Sequence, residues 1–218
     1  LQQQAITVLG RVKGATAEQG LTGALERLAT RSHNSGTGLE LIAAAKQIDS
    51  ELMRQKLAQY RATIPSGDTV EARHTTLVGG DPEQGRIKFQ TGGYCLRCHA
   101  VAGKGGNAGP DLAGIASFHT QRYLLEALVT PGSAITPGFG HVALALNDGS
   151  TVSGILMGET KTSLNVRAHS SHGEGEPTAI LKSTIRSQDG PVSGMPPMGL
   201  VLPDAAVRDI MAYLKTLK

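Results

Sequence analysis

The sequence predicts a mainly α-helical fold that is interrupted by a small antiparallel β-sheet or barrel. Apolar residues recur at helical intervals over residues 1–72 and again over residues 202–218, and the period changes to two within residues 134–190. Turn-forming residues separate these regions. With 218 residues and 39% apolar content, the chain is long enough for one to three small packed domains.

The first 72 residues are predicted to form short helices, because apolar side chains recur at helical intervals in two stretches: Leu21, Leu25, Leu28, and Leu41, Ala45, Ile48, Leu52. Short helices joined by glycine-containing turns resemble the end of an α-solenoid of the HEAT type. A helical linker that packs on its neighbour explains the pattern equally well. Residues 73–80 lie in a turn-rich stretch and are predicted to link this segment to a domain over residues 81–218.

Helices are also predicted within the second domain. Asp81 and Pro82, with Gln84 three residues after Asp81, form a start signal for a helix over residues 82–90. Residues 117–131 predict an amphipathic helix that ends at Pro131. The final helix is predicted within residues 202–218, with one apolar face made of Val207, Ile210, Met211, Leu214 and Leu217.

Between these helices the sequence predicts a β insertion at about 134–190. Alternating apolar residues indicate strands over residues 141–146, 151–158, 163–168 and 178–186. Residues 147–150, "NDGS", are typical of a hairpin turn between the first two strands. We expect the insertion to be either a docking surface for a partner or a lid over one edge of the site described next.

Composition and the lack of known catalytic motifs argue against several classes of function. A net charge of +3, with both signs interspersed and only 3% aromatic residues, does not favour nucleic-acid binding. No stretch of about 18 apolar residues predicts a membrane span. No catalytic motif is found, so no enzymatic activity is expected of this chain itself. Because the chain begins with Leu1 and shows no secretion signal, we expect it to be a piece of a longer protein.

The chain has two cysteines, and both lie in the pentapeptide "CLRCH", residues 95–99. This pattern is the attachment signature of a c-type haem. On one turn of backbone, the thiols of Cys95 and Cys98 reach the two vinyl groups of a porphyrin, and His99 is directed at the iron as its proximal ligand. The sequence therefore predicts one covalently attached haem c. We include Tyr94, directly before Cys95, among the residues expected to contact it.

Two other uses of a cysteine pair fit less well. A structural zinc site needs four ligands, and the sequence has no second cysteine pair. A thioredoxin-like dithiol needs a strand-to-helix turn inside a βαβ unit, and no such pattern surrounds residue 95.

The distal iron ligand is predicted to come from "SGMPPMGL", residues 193–200. Met195 is the first candidate, because a methionine beside prolines presents its thioether at a low cost in conformational entropy. Met198 is the alternative. His119 and His141 are rivals for this position, but His119 lies at a predicted helix start and His141 opens a predicted strand.

Together, "GRIKFQTGGYCLRCHAVAGKGGNAGPDLAGIA", "MPPMGL" and "DIMAYLKTLK" resemble a class I c-type cytochrome domain. In particular they resemble the haem-binding C-terminal modules of large bacterial proteins described as membrane-bound dehydrogenases, in which a β insertion separates the haem-attachment half from the methionine loop. The resemblance covers residues 81–218. Family members usually have a single Met followed by Pro, so the "MPPM" pair leaves the choice between Met195 and Met198 open.

The resemblance also implies two structural contacts. Pro110 is expected to offer its carbonyl oxygen to the second ring nitrogen of His99, which fixes the tautomer and raises the basicity of the imidazole. The plainer interpretation is that "GP" at this position only makes a turn. The helix that carries Gly85 and Phe89 is expected to cross the last helix at Tyr213 and Leu214.

The function implied by this resemblance is electron transfer. The domain is expected to take single electrons from a dehydrogenase partner or upstream domain and pass them to a respiratory acceptor, another cytochrome or a terminal oxidase. Because thioether attachment of haem takes place outside the cytoplasm, an exported, periplasmic location is expected. The alternative functions are a haem enzyme or gas or redox sensor with a displaceable sixth ligand, and a structural adaptor without haem.

Overall fold

The computed structural model describes residues 1–12, 14–33, 36–92, 94–168 and 175–218. The chain divides into two compact units. Unit 1 consists of Leu1–Gly93, Gly114–Leu125 and Leu202–Lys218, and unit 2 consists of Tyr94–Ala113 and Glu126–Val201. Residues 81–218, expected to form one domain, are therefore shared between both units, and the linker at 73–80 stays a prediction. Among the described residues, no helix has the length and apolar character needed to cross a membrane.

The N-terminal part of unit 1 is helical, as predicted. Its helices are α1 (Gln2–Leu9), α2 (Ala15–Ala29), α3 (Gly38–Ile48) and α4 (Glu51–Ala62). Their shared core includes five of the predicted residues: Leu21, Leu25, Leu28, Leu41 and Ala45.

The apolar pattern that begins at Leu41 was predicted to continue to Leu52. This prediction is wrong, because Leu52 is 37% exposed. Asp49 ends α3 in the left-handed conformation at φ 51°, and the Ser50 hydroxyl caps α4 by accepting the Met53 N–H at 3.3 Å. The helical period therefore restarts at α4 and does not continue from α3. As a result α4 buries Met53, Leu57 and Tyr60 instead.

The turn-rich stretch after α4 is more ordered than its composition predicts. It contains a 3₁₀ helix over Glu71–Thr76, whose start is tied by the Glu71 N–H donated to Asp68 Oδ1 at 2.7 Å. Thr75 and Thr76 in this helix are buried.

Helix α5 (Pro82–Gln90) begins as predicted, because the Asp81 carboxylate accepts the N–H groups of Glu83 and Gln84 at 2.8 and 3.1 Å. After α5 come two further short helices, α6 (Ile115–Phe118) and α7 (Gln121–Val129). The predicted amphipathic helix is confirmed as α7, which ends before Pro131, but it begins at Gln121 and not at residue 117. Residue 117 belongs to the separate helix α6. His119 adopts an extended backbone between them, and the Thr120 hydroxyl accepts the Tyr123 N–H at 3.2 Å, which starts α7 anew.

Unit 1 also contains the last helix of the chain, α9 (Asp204–Leu214), and the short helix α8 (Met198–Val201) precedes it in unit 2. Four residues of the predicted apolar face are buried in α9: Val207, Ile210, Met211 and Leu214. The fifth, Leu217, lies beyond the end of the helix. The expected crossing with α5 is present, since a Cβ atom at Gly85 would lie 2.8 Å from Tyr213 Cβ. The rings of Phe89 and Tyr213 are 5.4 Å apart in an edge-on arrangement.

Unit 2 contains the β structure. A two-stranded ribbon is formed by β1 (Ala100–Val101) and β2 (Lys104–Gly105). The larger sheet is formed by β3 (Gly140–Leu146), β4 (Thr151–Glu159), β5 (Ser163–Ala168), β6 (Thr178–Leu181) and β7 (Ile185–Ser193). Its strands are antiparallel in the order β6-β5-β4-β3-β7, so the predicted antiparallel insertion is confirmed as a sheet.

The fourth predicted strand, 178–186, is in fact two strands. A short 3₁₀ helix over Lys182–Thr184 divides β6 from β7, and β7 continues to Ser193. The sequence did not predict this continuation, because residues 187–193 contain few apolar side chains and a proline. Proline is tolerated here because β7 is an edge strand of the sheet.

Candidate functional site

The two cysteines and the following histidine lie on one tight turn of backbone in unit 2. A 3₁₀ helix spans Cys95–Arg97, and Tyr94 precedes it in the left-handed conformation at φ 54°. The carbonyl oxygen of Cys95 accepts the N–H of Cys98 at 3.1 Å and the N–H of His99 at 2.8 Å. Residues 95, 98 and 99 are therefore held on a single turn, as the attachment motif requires.

The two thiols differ in their surroundings. Cys95 is half-buried and Cys98 is exposed. Burial, with a smaller contribution from the neighbouring Cys98, raises the pKa of the Cys95 thiol to about 11. A catalytic dithiol needs a lowered cysteine pKa, because the thiolate is the nucleophile. Cys95 therefore lacks the activated thiolate that a thioredoxin-like function demands.

The imidazole of His99 is oriented by the loop that follows it. Its Nδ1 atom lies 2.9 Å from the carbonyl oxygen of Pro110. Since a carbonyl can only accept a hydrogen bond, Nδ1 is the donor, and Nε2 is the nitrogen that the neutral ring offers to a metal. This is the contact that the resemblance implies for Pro110.

Glycines allow this loop to close on the histidine ring. A Cβ atom at Gly109 would lie 2.7 Å from Cε1 and 2.8 Å from Nδ1 of His99. The Gly109 N–H donates to the carbonyl oxygen of Cys98 at 2.7 Å, so the same residue ties the loop to the cysteine turn. A role for Gly109 was not predicted from the sequence, although the density of glycines in "GKGGNAGP" was a signal for such close packing.

Asp111 closes the other end of the loop. Its carboxylate accepts the N–H groups of Ala113 and Gly103, both at 2.8 Å, and that of Ala102 at 3.2 Å. These backbone hydrogen bonds, led by that of Ala113, lower the pKa of Asp111. Asp111 was not predicted as a site residue; it ties together the two ends of the loop that contains Pro110.

Both candidate methionines belong to the same unit as the cysteine turn. Met195 is half-buried in the loop after β7, where its N–H donates to the Ser193 hydroxyl at 3.1 Å. Met198 begins α8 and is only 7% exposed. Met198 is thus already packed against protein, whereas the side chain of Met195 retains accessible surface for a ligand.

The rival histidines occupy different surroundings. His119 belongs to unit 1, where its ring stacks on Tyr123 with centroids 4.0 Å apart. His141 lies in β3 of unit 2, and its ring packs against the backbone of Gly194, next to Met195. The prediction that His141 opens a strand is confirmed, but its contact with the methionine loop was not predicted.

Large apolar side chains are exposed beside both halves of the candidate site. Tyr94, which precedes the cysteine turn, is 60% exposed and packs on the guanidinium of Arg97 at 5.2 Å. After the methionine loop, Leu200 is 84% exposed and Val201 is 55% exposed.

The residues present therefore fit a c-type haem. The turn presents two thiols, the contact of His99 Nδ1 with Pro110 leaves Nε2 as the candidate iron-binding nitrogen, and a partly accessible thioether is available at Met195. The described residues include no group of three or more His, Cys, Asp or Glu side chains suited to hold a metal ion. The candidate iron ligands are instead one imidazole and one thioether.

Comparison with known proteins adds no family assignment. No protein-family model matches the chain, and no curated protein is similar to it at a significant level.

Proposed function

We propose that residues 81–218 are a class I, monohaem c-type cytochrome domain that transfers single electrons. The observation that carries the proposal is the single turn that holds Cys95, Cys98 and His99, together with the hydrogen bond from His99 Nδ1 to Pro110. When bound, haem c supplies reversible one-electron chemistry at its iron.

Each residue of the turn has a separate role in this proposal. Cys95 and Cys98 hold the porphyrin through two thioether bonds, which fix both its position and its orientation. His99 binds the iron through Nε2. Pro110 keeps the imidazole in the tautomer that leaves Nε2 free of a proton, and the hydrogen bond increases the basicity of the ring.

Met195 is the proposed distal ligand. Pro196 and Pro197 follow it directly, which restricts the backbone and reduces the entropy lost when the thioether is held at the iron. A thioether opposite an imidazole raises the reduction potential relative to other ligand pairs. The burial of Met198 supports a packing role for that residue.

The proposed direction of electron flow is from a dehydrogenase, in the same polypeptide or in a partner, to another cytochrome or a terminal oxidase. The proposed location is the periplasm or another compartment outside the cytoplasm, because thioether attachment takes place there. In this scheme the helices of residues 1–72 are a HEAT-like tail that precedes the electron-transfer domain. No catalytic residue is assigned within the chain.

The proposal is tested by producing the protein in a host that matures c-type cytochromes and exports the chain. We expect the intact mass to increase by one haem, and a denaturing gel to retain haem-dependent peroxidase staining. Cys95→Ala and Cys98→Ala each remove one thioether, and the double variant is expected to lose the covalent haem. Arg97→Ala is the matched control, because it changes the same turn without removing a thiol.

The spectrum then separates electron transfer from the alternative function. Low-spin iron with a sulfur-to-iron charge-transfer band in the oxidised protein, and slow CO binding in the reduced protein, support electron transfer. High-spin iron with fast CO binding would indicate a haem enzyme or gas sensor. Wild-type protein without covalent haem would refute both and leave the structural adaptor.

A further inference from the structure

We propose that His141 is a positioning residue for Met195, and that the β insertion acts through it as the support of the methionine loop. The inference rests on the proposed haem function. It assigns to the insertion a role distinct from docking a partner or covering an edge of the site. Three features of the structure lead to it: a bulge next to His141, the contact of its ring with Gly194, and the hydrogen bond at Ser193.

The pairing of β3 and β7 is irregular next to His141. Gly140 pairs with Ser193 and His141 pairs with Val192, but Ala143 pairs with Asp189. One residue on β3 therefore lies opposite two on β7, which is a β-bulge. Bulges bend a strand and redirect its side chains, and here the bend lies immediately before the methionine loop.

The bulge packs closely against the backbone of β3 at Gly140 and His141. Gly190 in the bulge has φ +96°, and a Cβ atom there would lie 2.4 Å from the carbonyl oxygen of His141. On β3, a Cβ atom at Gly140 would lie 2.8 Å from Cβ of Pro191. The two strands therefore pack closely at the bulge, with no room for a side chain at residue 140 or 190, and their pairing holds them together.

The ring of His141 then makes the contact with the loop itself. Val142 and Leu144 are buried in the core of the sheet, so the alternation along β3 puts His141 on the opposite face. There, a Cβ atom at Gly194 would lie 2.8 Å from Nε2 and 3.3 Å from Cδ2 of the imidazole. The ring occupies the space that any side chain at residue 194 would need.

The backbone just before Met195 is fixed by two contacts, a hydrogen bond at Ser193 and the packing of Gly194 on His141. The N–H of Met195 donates to the Ser193 hydroxyl at 3.1 Å, and Ser193 is the last residue of β7. The residue between them, Gly194, lies against the His141 ring. The backbone position of Met195 is therefore set by β3 and β7 before any ligand is bound, which reduces the ordering entropy that binding would cost.

The test uses haem-loaded, matured protein and a double-mutant cycle between residues 141 and 194. Gly194→Ala puts a methyl group where the imidazole lies, so the ring and the loop can no longer keep this contact. We expect the oxidised variant to lose the sulfur-to-iron charge-transfer band and to have a lower reduction potential. Adding His141→Ala removes the overlap, and the double variant is expected to regain the band.

The control is Gly158→Ala, in β4 of the same sheet, where an added Cβ atom has no neighbour within 4 Å. It is expected to match the wild type in spectrum and potential. His141→Ala alone adds no atom but removes the support of the loop. We expect it to retain covalent haem and to bind CO faster than the wild type when reduced.

A wild-type spectrum in Gly194→Ala would overturn the proposal, as would an equal effect of Gly194→Ala on the spectrum in the wild type and in His141→Ala. Should Gly194→Ala fail to fold, the CO rate of His141→Ala decides, and a wild-type rate refutes the role. These results are distinct from failure of the haem function itself, which would be seen as wild-type protein without covalent haem or without the charge-transfer band.

Discussion

Gly109 lies so close to His99 that a Cβ atom at residue 109 would be within 2.8 Å of both Cε1 and Nδ1 of the imidazole. The same ring donates its Nδ1–H to Pro110, the next residue of the loop. The orientation of the proposed proximal ligand therefore depends on a position that carries no functional group.

Gly109→Ala is expected to disturb the proximal ligand without removing it. The added methyl group forces the imidazole away from Pro110, so the iron should become partly high-spin in the oxidised protein. Optical and electron paramagnetic resonance spectra measure this change. Gly132→Ala, in the same unit, is the control because an added Cβ atom there has no neighbour within 4 Å. An unchanged low-spin spectrum in Gly109→Ala would contradict the role given to this contact.

Met195→Ala and Met198→Ala are expected to change different properties: the first the spectrum, the second the stability. Met195→Ala should lose the sulfur-to-iron band, because it removes the proposed ligand. Met198→Ala should retain the band but lower the free energy of unfolding by about 2–3 kcal/mol, because it leaves a cavity in place of a buried side chain. Denaturant titration and the oxidised spectrum of each variant provide the measurements. Loss of the band only in Met198→Ala would reverse the ligand assignment.

Gly85→Ala is expected to weaken the crossing of α5 and α9. A Cβ atom at residue 85 would lie 1.9 Å from the carbonyl oxygen of Asp209, which is backbone and cannot rotate away. We expect the free energy of unfolding to fall by about 1–3 kcal/mol. Gly20→Ala, in α2 with no neighbour within 4 Å of the added atom, should instead stabilise the protein by about 0.5–1 kcal/mol. Equal effects of both substitutions in thermal unfolding would argue against the close crossing.

Glu40→Ala is expected to destabilise unit 1. Arg208 Nη1 in α9 lies 2.8 and 3.0 Å from the carboxylate oxygens of Glu40 in α3, and both side chains are largely buried. Removing the carboxylate leaves a buried guanidinium without its counter-charge, which costs about 3 kcal/mol. Glu83→Ala removes a partner from the exposed pair with Arg86 and should change the unfolding free energy far less. A similar loss in both variants would show that the buried pair has no special weight.

Several elements could be predicted from the sequence because their signals are local. Asp81 and Pro82 mark the start of α5, and residues 147–150 form the predicted turn, in which Leu146 N–H donates to Ser150 O at 2.9 Å. The break at His119 was missed because the apolar pattern on either side of it is continuous. The end of β7 was missed because an edge strand needs no apolar alternation to remain paired.

The chemistry of the candidate site was determined by the sequence alone, since two thiols and an imidazole within five residues define their spacing whatever the rest of the chain does. Only the tertiary structure decided which groups surround them. The contacts of Gly109 with His99 and of His141 with Gly194 join residues that are 10 and 53 positions apart. Such contacts depend on how loops and strands pack: a glycine in the sequence indicates that a close approach is possible, but not which distant residue makes it.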